Sequence, residues 1–146
     1  MSEIGFYHLT RTSVAEALPA LLTRTLALEE KALILCADEP QLKHLDSALW
    51  QNAAWLPHGH ANFPHPQWQP IYLGTTLENP TAARFLFRVG GHDDELPEGF
   101  TRIFDLFDGT SENAVLAARQ RWRRAKDAGH SLTYWKQEDQ GWVKAG

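Results

Sequence analysis

The sequence predicts a single α/β domain over residues 1–146, with three layers in which a mostly parallel central sheet carries helices on both faces. The chain has 146 residues, a usual size for one domain, and 43% of them are apolar, enough to cover both sides of a sheet. Residues 4–37 show the patterns of a strand, a helix and a second strand in that order, as in a right-handed parallel crossover. Residues 31–37 (KALILCA) form an apolar run, typical of a strand buried on both faces.

Local signals predict the first strand and the first helix. Residues 4–9 (IGFYHL) form a short, aromatic-rich strand. Ser13, with Glu16 three residues later, gives a capping-box pattern that starts a helix. Pro19 lies inside this helix, so the regular part begins either at the cap or at the proline itself. The predicted apolar stripe consists of Leu18, Leu21, Leu22, Leu26 and Leu28.

A second helix follows the buried strand at residues 31–37. Asp38 is its predicted cap, and Pro40 lies in its first turn. The helix should end near Trp50, with an inward stripe of Leu42, Leu45 and Leu49.

The second half of the chain contains more strands than helices. After Gln51 the segment is rich in proline and histidine, and a strand is expected only at residues 55–57, followed by loop. A helix over residues 112–128 should close at Gly129. The other predictions are strands at 70–74, 84–89 and 101–107, a loop at 90–99, and a last strand or hairpin at 131–136 and 141–144.

Composition argues against several classes of function. The formal net charge of -4 does not supply the long basic surface that direct binding to duplex DNA requires. No apolar run reaches the roughly 18 to 20 residues that span a bilayer, and no leader pattern is found, so a cytoplasmic protein without a membrane partner is expected. Cys36 is the single cysteine; it excludes a disulfide framework, and a buried hydrophobic role is expected for it.

The motifs of common enzymes are missing from the sequence. The turn at residues 8–13 contains no glycine, so the backbone has no ready approach to a pyrophosphate, and the fold is expected to be Rossmann-like without a nucleotide site. No G-x-x-x-x-G-K-[ST] sequence and no nucleophile elbow occur. We therefore expect no cofactor, no catalytic residues and no enzymatic activity.

One group of histidines leaves an alternative function open. His58, His60 and His65 are close in sequence, and Asp93 and Asp94 could reach them from another loop. Such a group could hold a metal ion, which would make the chain a small metal-dependent hydrolase. A proline-rich loop with solvated imidazoles is the favoured interpretation, because no carboxylate lies at a fixed spacing beside the histidines.

The predicted helix at residues 112–128 has two distinct faces. Small residues occupy one face, which would let the helix lie close to a sheet: Ala114, Ala117, Ala118, Ala125 and Ala128. The opposite face carries Val115, Arg119, Trp122, Arg123 and Lys126. An indole flanked by cations suits a short ligand that is both acidic and aromatic. The competing interpretation is a solvated basic helix whose Trp122 merely packs over an edge.

A second candidate surface lies at the end of the second helix. Trp50 is rotated away from the leucine stripe, and Trp55 follows shortly after it. Two large aromatic side chains near a helix end can anchor a partner chain. Trp55 could equally belong to the core, because it opens an apolar Trp-Leu-Pro segment.

These residues resemble the chi subunit family of bacterial DNA polymerase III, an accessory component of the clamp-loader assembly. The similar segments run in the family's order over nearly the whole chain, and their combination is specific, although none is a catalytic signature. They are FYHL at 6–9, ALILCADEPQLKHLDSALW at 32–50, LPHG at 56–59, PIYLG at 70–74 and FTRIFDLFDGTSENAVLAARQRWRRAKDAG at 100–129.

The resemblance implies a nucleotide-binding-like fold that has lost its nucleotide site, together with two protein contacts. One contact is with the acidic, aromatic-ended C-terminal tail of single-stranded-DNA-binding protein. In the family's contact helix, the arginine position corresponds to Arg119 here and the aromatic position corresponds to Trp122, and Arg123 is a nearby cation. One turn earlier the family has a cationic residue, and this chain has Val115 at the corresponding position.

The second contact that the resemblance implies is with the psi subunit, which bridges chi to the clamp loader, or with a repair helicase. The aromatic positions of that surface correspond to Trp50 and Trp55. The sequence thus predicts a non-catalytic adaptor for DNA replication, with the metal-dependent hydrolase and direct single-strand binding through aromatic stacking as alternatives.

Overall fold

Strands and helices alternate in the first half of the chain, and strands dominate the second half. The computed structural model describes residues 2–52, 56–60, 69–91, 98–139 and 141–145. In chain order the elements are β1 (Glu3–Leu9), α1 (Val14–Ala27), β2 (Ala32–Leu35), α2 (Glu39–Gln51), β3 (His58–His60), β4 (Ile71–Gly74), β5 (Phe85–Arg88), β6 (Arg102–Asp108), α3 (Glu112–Asp127), β7 (Ser131–Glu138) and β8 (Gly141–Lys144).

Within the described residues, all eight strands join one sheet in the order β3-β4-β2-β5-β6-β1-β7-β8. Every neighbouring pair is parallel except β7 and β8, which form an antiparallel hairpin. β1 lies between β6 and β7, so the start of the chain pairs with two strands from its last third. The predicted mostly parallel α/β sheet and the predicted terminal hairpin are both confirmed.

Two hydrophobic clusters cover the two faces of the sheet. One contains the buried leucines of α1 and α2 together with strand residues such as Ile34 and Phe87. The other contains Ala118 and Ala125 of α3 together with strand residues such as Phe6. Helices therefore pack on both faces, which gives the predicted three layers. Both faces of β2 and β5 are completely buried, as expected for central parallel strands.

The first helix begins at the capping box and not at its proline. The Ser13 hydroxyl accepts a hydrogen bond from the Glu16 amide at 3.3 Å, and the Glu16 carboxylate accepts one from the Ser13 amide at 3.2 Å. The prediction of this cap is confirmed, and the helix runs unbroken through Pro19. Leu28 is not part of the apolar stripe: it lies just beyond the last helical residue and is 58% exposed.

The other two helices also begin at capping side chains. The Asp38 carboxylate accepts a hydrogen bond from the backbone N–H of Gln41 at 2.9 Å, as predicted. The Ser111 hydroxyl accepts one from the backbone N–H of Ala114 at 3.3 Å. The stripe of Leu42, Leu45 and Leu49 is buried. Gly129 follows α3 with φ +87°, a conformation that glycine adopts without strain, so the predicted end of this helix is confirmed.

The third strand is displaced from its predicted position. It comprises His58–His60, and the preceding Leu56 and Pro57 are not in a strand. Trp55 lies outside the described residues. The strand forms where Gly59 can pair with Tyr72 of β4. That pairing depends on a strand farther along the chain, so the local proline and histidine pattern could not reveal it.

Candidate protein-binding sites

A buried ion pair fixes α3 on the sheet. The Arg121 guanidinium donates to both carboxylate oxygens of Asp105 on β6, at 2.7 and 2.9 Å. The two side chains are only 4% and 2% exposed. Ala118 and Ala125 are buried on either side of this pair. The predicted small-residue face therefore contacts the sheet through Ala118 and Ala125, whereas Ala128 is exposed. The buried Arg121, which was not predicted on this face, lies between the two alanines.

The prediction that Trp122 and Val115 lie on the outward face of α3 is wrong. Both are half-buried and pack against the core on the α3 side. The indole of Trp122 meets Phe6 edge-on, with ring centroids 5.3 Å apart, and Tyr134 at 5.7 Å. The reason is helical spacing: Val115, Ala118, Trp122 and Ala125 follow an i, i+3, i+7, i+10 pattern and so share one buried stripe.

The three predicted cations of α3 are exposed to solvent. Arg119, Arg123 and Lys126 form no hydrogen bond or ion pair with any residue that the structure describes. Their charges are therefore available to a ligand. Trp122 lies beside them and keeps part of its surface exposed, so cations and an aromatic ring remain neighbours at the border of the helix.

A groove of about 530 Å³ lies where β1 and β7 end and α3 begins. We call it the α3 groove. One wall comes from α3 and offers two apolar side chains and Arg119. The other wall comes from the strands and offers His8 and Lys136. The lining residues are His8, Thr10, Gly109, Thr110, Glu112, Val115, Leu116, Arg119 and Lys136. The groove can thus take a ligand that combines negative charge with an apolar group.

The pKa of His8 is lowered by burial and, to a smaller extent, by two cations of the α3 groove. Burial is the main reason why this pKa lies below its ordinary value, and the charges of Lys136 and Arg119 lower it further. A backbone hydrogen bond to Gly109 acts in the opposite direction. His8 Nδ1 lies 2.6 Å from the Tyr134 hydroxyl, which fixes the orientation of the ring. Two cations on opposite walls therefore act on the same imidazole.

Trp50 is half exposed at the end of α2. Its ring lies over His58 with centroids 4.1 Å apart, and 49% of the residue remains accessible. The expectation that Trp50 points away from the leucine stripe is confirmed. The predicted pairing with Trp55 stays a prediction, because Trp55 lies outside the described residues.

The sequence of this chain matches a known protein family. Residues 1–133 match the family model described as "DNA polymerase III chi subunit, HolC". This match covers β1 through the first part of β7, including all of α3. The chain belongs to the chi subunit family of DNA polymerase III.

One curated relative of this chi-family chain comes from Rickettsia prowazekii (strain Madrid E) and carries the name "Probable DNA polymerase III subunit chi". The two sequences are 30% identical over 95 residues, which is 64% of this chain and 58% of the relative. The match therefore spans less than two thirds of the relative's length.

The described part of this chi-family chain gives no support to the metal-dependent hydrolase. Among the described residues, no group of three or more histidine, cysteine or acidic side chains could hold a metal ion. His58 is fully buried, with Nδ1 2.6 Å from the Leu56 carbonyl oxygen and Nε2 3.0 Å from a carboxylate oxygen of Asp46. His60 is half-buried on the same strand. His65, Asp93 and Asp94 lie outside the described residues.

Two further expectations concern the membrane and the cysteine. No helix in the described ranges has both the length and the apolar character needed to cross a bilayer. Cys36 is completely buried, and burial raises the pKa of its thiol to about 12. The expectation of a buried hydrophobic role for this cysteine is confirmed.

Several residues of this region were not predicted from the sequence. Lys136 and His8 are register partners on parallel strands, and nothing in the local sequence indicates that β7 lies beside β1. Leu116 is 55% exposed at the rim of the α3 groove. Helical spacing could have placed Arg121 on the alanine face, because it lies three residues after Ala118 and four before Ala125.

Proposed function

We propose that this chi-family chain is a non-catalytic accessory subunit that binds the C-terminal tail of single-stranded-DNA-binding protein and links it to a second replication protein. The observation that carries the proposal is Arg119, an exposed cation without a bonding partner among the described residues, at the wall of a groove with apolar side chains. A short acidic peptide with an aromatic end has the complementary charge and shape.

The partly buried position of Trp122 favours a specific geometry. Its ring is held by Phe6 and Tyr134, so the exposed edge is rigid and loses little conformational freedom when a ligand packs on it. Arg119 would pair with carboxylates of the tail, and Arg123 and Lys126 would attract the acidic segment. Val115 stands where the family has a cation, and it would contribute apolar contact area in the α3 groove.

Fluorescence anisotropy with a labelled tail peptide tests this proposal. Arg119→Ala should weaken binding about tenfold or more, since a charge-assisted hydrogen bond would be lost. Arg24→Ala is the matched control: Arg24 is an exposed helical arginine on α1, across the sheet from α3. Equal affinity of the Arg119→Ala variant and the parent would refute the proposed site. A gel shift with naked single-stranded oligonucleotide should show no binding at moderate salt.

The second partner, which is either the psi subunit or a repair helicase, would bind at Trp50. A half-exposed tryptophan backed by another ring is the type of side chain that dominates interface energies. Co-purification from the native host followed by mass spectrometry should recover the partner with the parent chain and lose it with Trp50→Ala. Val143→Ala removes a comparably exposed apolar side chain on β8 and should retain the partner. We predict that Trp55 contributes to the same surface.

A further inference from the structure

The strand wall of the α3 groove has a cation of its own. Lys136 on β7 and His8 on β1 are register partners in the parallel pair of strands. Two residues earlier on each strand, Phe6 and Tyr134 pack against Trp122 of α3. Because side chains alternate along a strand, His8 and Lys136 face the same side of the sheet as α3. Lys136 therefore faces the helix across the groove.

The charges around the α3 groove are unbalanced. Lys136 is exposed and, like Arg119, forms no hydrogen bond or ion pair with the described residues. Glu112 is the one acidic residue in the described lining, and His8 adds positive charge when it is protonated. Cations on two opposite walls can hold carboxylates of one extended peptide from both sides.

We infer that Lys136 is a specificity-determining residue of the peptide site, and that the acidic stretch of the bound tail runs through the α3 groove between Arg119 and Lys136. This inference rests on the proposed function and extends its site from one helix to two elements that are far apart in sequence. The ligand chemistry is an acidic peptide with an apolar end. The apolar part would contact Val115 and Leu116 on the helix wall.

The test compares Lys136→Gln with Lys144→Gln by anisotropy, using the labelled tail peptide over a series of salt concentrations. Lys144 is a matched control: it lies on the same hairpin but pairs with Trp135, which packs on the α1 side of the sheet. Lys136→Gln should weaken binding about three- to tenfold and flatten its salt dependence, because one ionic contact is lost. Lys144→Gln should bind like the parent.

A second peptide identifies the contact. If its acidic side chains are replaced by amides, the parent and Lys136→Gln should bind it equally weakly, since the lysine then has nothing to pair with. If the parent and Arg119→Ala behave as proposed but Lys136→Gln matches Lys144→Gln, the inference is wrong and the proposed function stands. If the parent does not bind the tail, both fail. If the parent instead binds oligonucleotide and Lys136→Gln reduces that binding, the groove serves a phosphate backbone and the inference is overturned.

Discussion

Arg121 and Asp105 form a bidentate ion pair, with N···O distances of 2.7 and 2.9 Å, between α3 and the central strand β6. Both side chains are almost completely buried. Arg119 and Trp122 lie two residues before and one residue after Arg121, so the ion pair sets the rotation of the helix that carries the proposed site. In the proposed site it would act as a positioning pair, because both side chains are buried and out of a ligand's reach.

Breaking this ion pair from one side should destabilise the protein strongly. Arg121→Met leaves the Asp105 carboxylate buried without a partner, and the free energy of unfolding should fall by about 3–5 kcal/mol. Chemical denaturation measures the change. The double variant with Asp105→Leu should recover part of the loss, because it removes the uncompensated charge. Arg123→Ala, an exposed neighbour, serves as control; a loss for Arg121→Met no larger than the control's would contradict the structural role.

The capping box of α1 gives a smaller and more local prediction. Ser13→Ala removes a hydroxyl that accepts from the Glu16 amide, and the free energy of unfolding should fall by about 1 kcal/mol. Ser47→Ala, an exposed substitution inside α2, should leave stability unchanged or slightly raised because alanine is the better helix former. Thermal unfolding followed by circular dichroism compares the two variants. A Ser13→Ala transition no lower than that of Ser47→Ala would argue against the cap.

Gly109 should not tolerate a side chain. A methyl group there would stand 2.6 Å from the Leu9 carbonyl oxygen and would also collide with the ring of His8. Gly109→Ala should therefore displace the His8 ring, lower the free energy of unfolding by about 2 kcal/mol or more, and weaken tail-peptide binding. Gly74→Ala is the control, since its nearest neighbour would be a Tyr72 ring atom at 3.3 Å. Denaturation and anisotropy give the two measurements, and similar behaviour of both variants would contradict the prediction.

His8 should make peptide binding depend on pH. In the free protein its pKa is lowered by burial and by Lys136 and Arg119, so the ring is neutral near pH 7. A bound acidic peptide counteracts those charges and raises the pKa, so binding takes up a proton. Affinity should therefore increase as pH falls from about 7.5 to about 5.5, while the carboxylates of the peptide stay ionised.

The groups that face this imidazole from the surrounding elements are Tyr134 and Lys136 on β7, Gly109 after β6, and Glu112 and Arg119 on α3. His8→Gln should remove most of the pH dependence, and His44→Gln, an exposed change on α2, should leave it intact. Anisotropy titrations at several pH values provide the measurement. An unchanged slope in His8→Gln would assign the effect to other groups.

Cys36 should be unreactive in the folded protein. Its thiol is fully buried and its pKa is raised to about 12, so the thiolate that attacks disulfide reagents is nearly absent at pH 8. A colorimetric thiol assay should detect almost no thiol in native buffer and one per chain in concentrated guanidinium chloride, since the sequence has a single cysteine. Rapid reaction of the native protein would mean that β2 opens readily.

Local signals in the sequence were sufficient for most of the secondary structure. The caps at Ser13 and Asp38 and the glycine at Gly129 act within one turn of a helix, so they can be recognised from neighbouring residues alone. Pro19 was harder to interpret, because tertiary packing of α1 outweighs the hydrogen bond that the proline lacks.

Features that depend on distant residues could not be predicted in the same way. The partner of Arg121 lies 16 residues earlier on another element, and Lys136 becomes a neighbour of His8 only through the order of the strands. The cations of α3 were placed correctly from helical spacing. The half-buried position of Trp122 was not, because the alanine face was taken as the only buried face.

The joining of β1 to β7 has a consequence for synthesis on the ribosome. The imidazole of His8 is oriented by a hydroxyl 126 residues later in the chain. A nascent polypeptide that has emerged only as far as α3 therefore has the helix wall of the α3 groove but lacks the β7 part of its strand wall. Such a partial chain also leaves one edge of β1 unpaired. The proposed peptide site would therefore be complete only late in translation, once β7 has emerged.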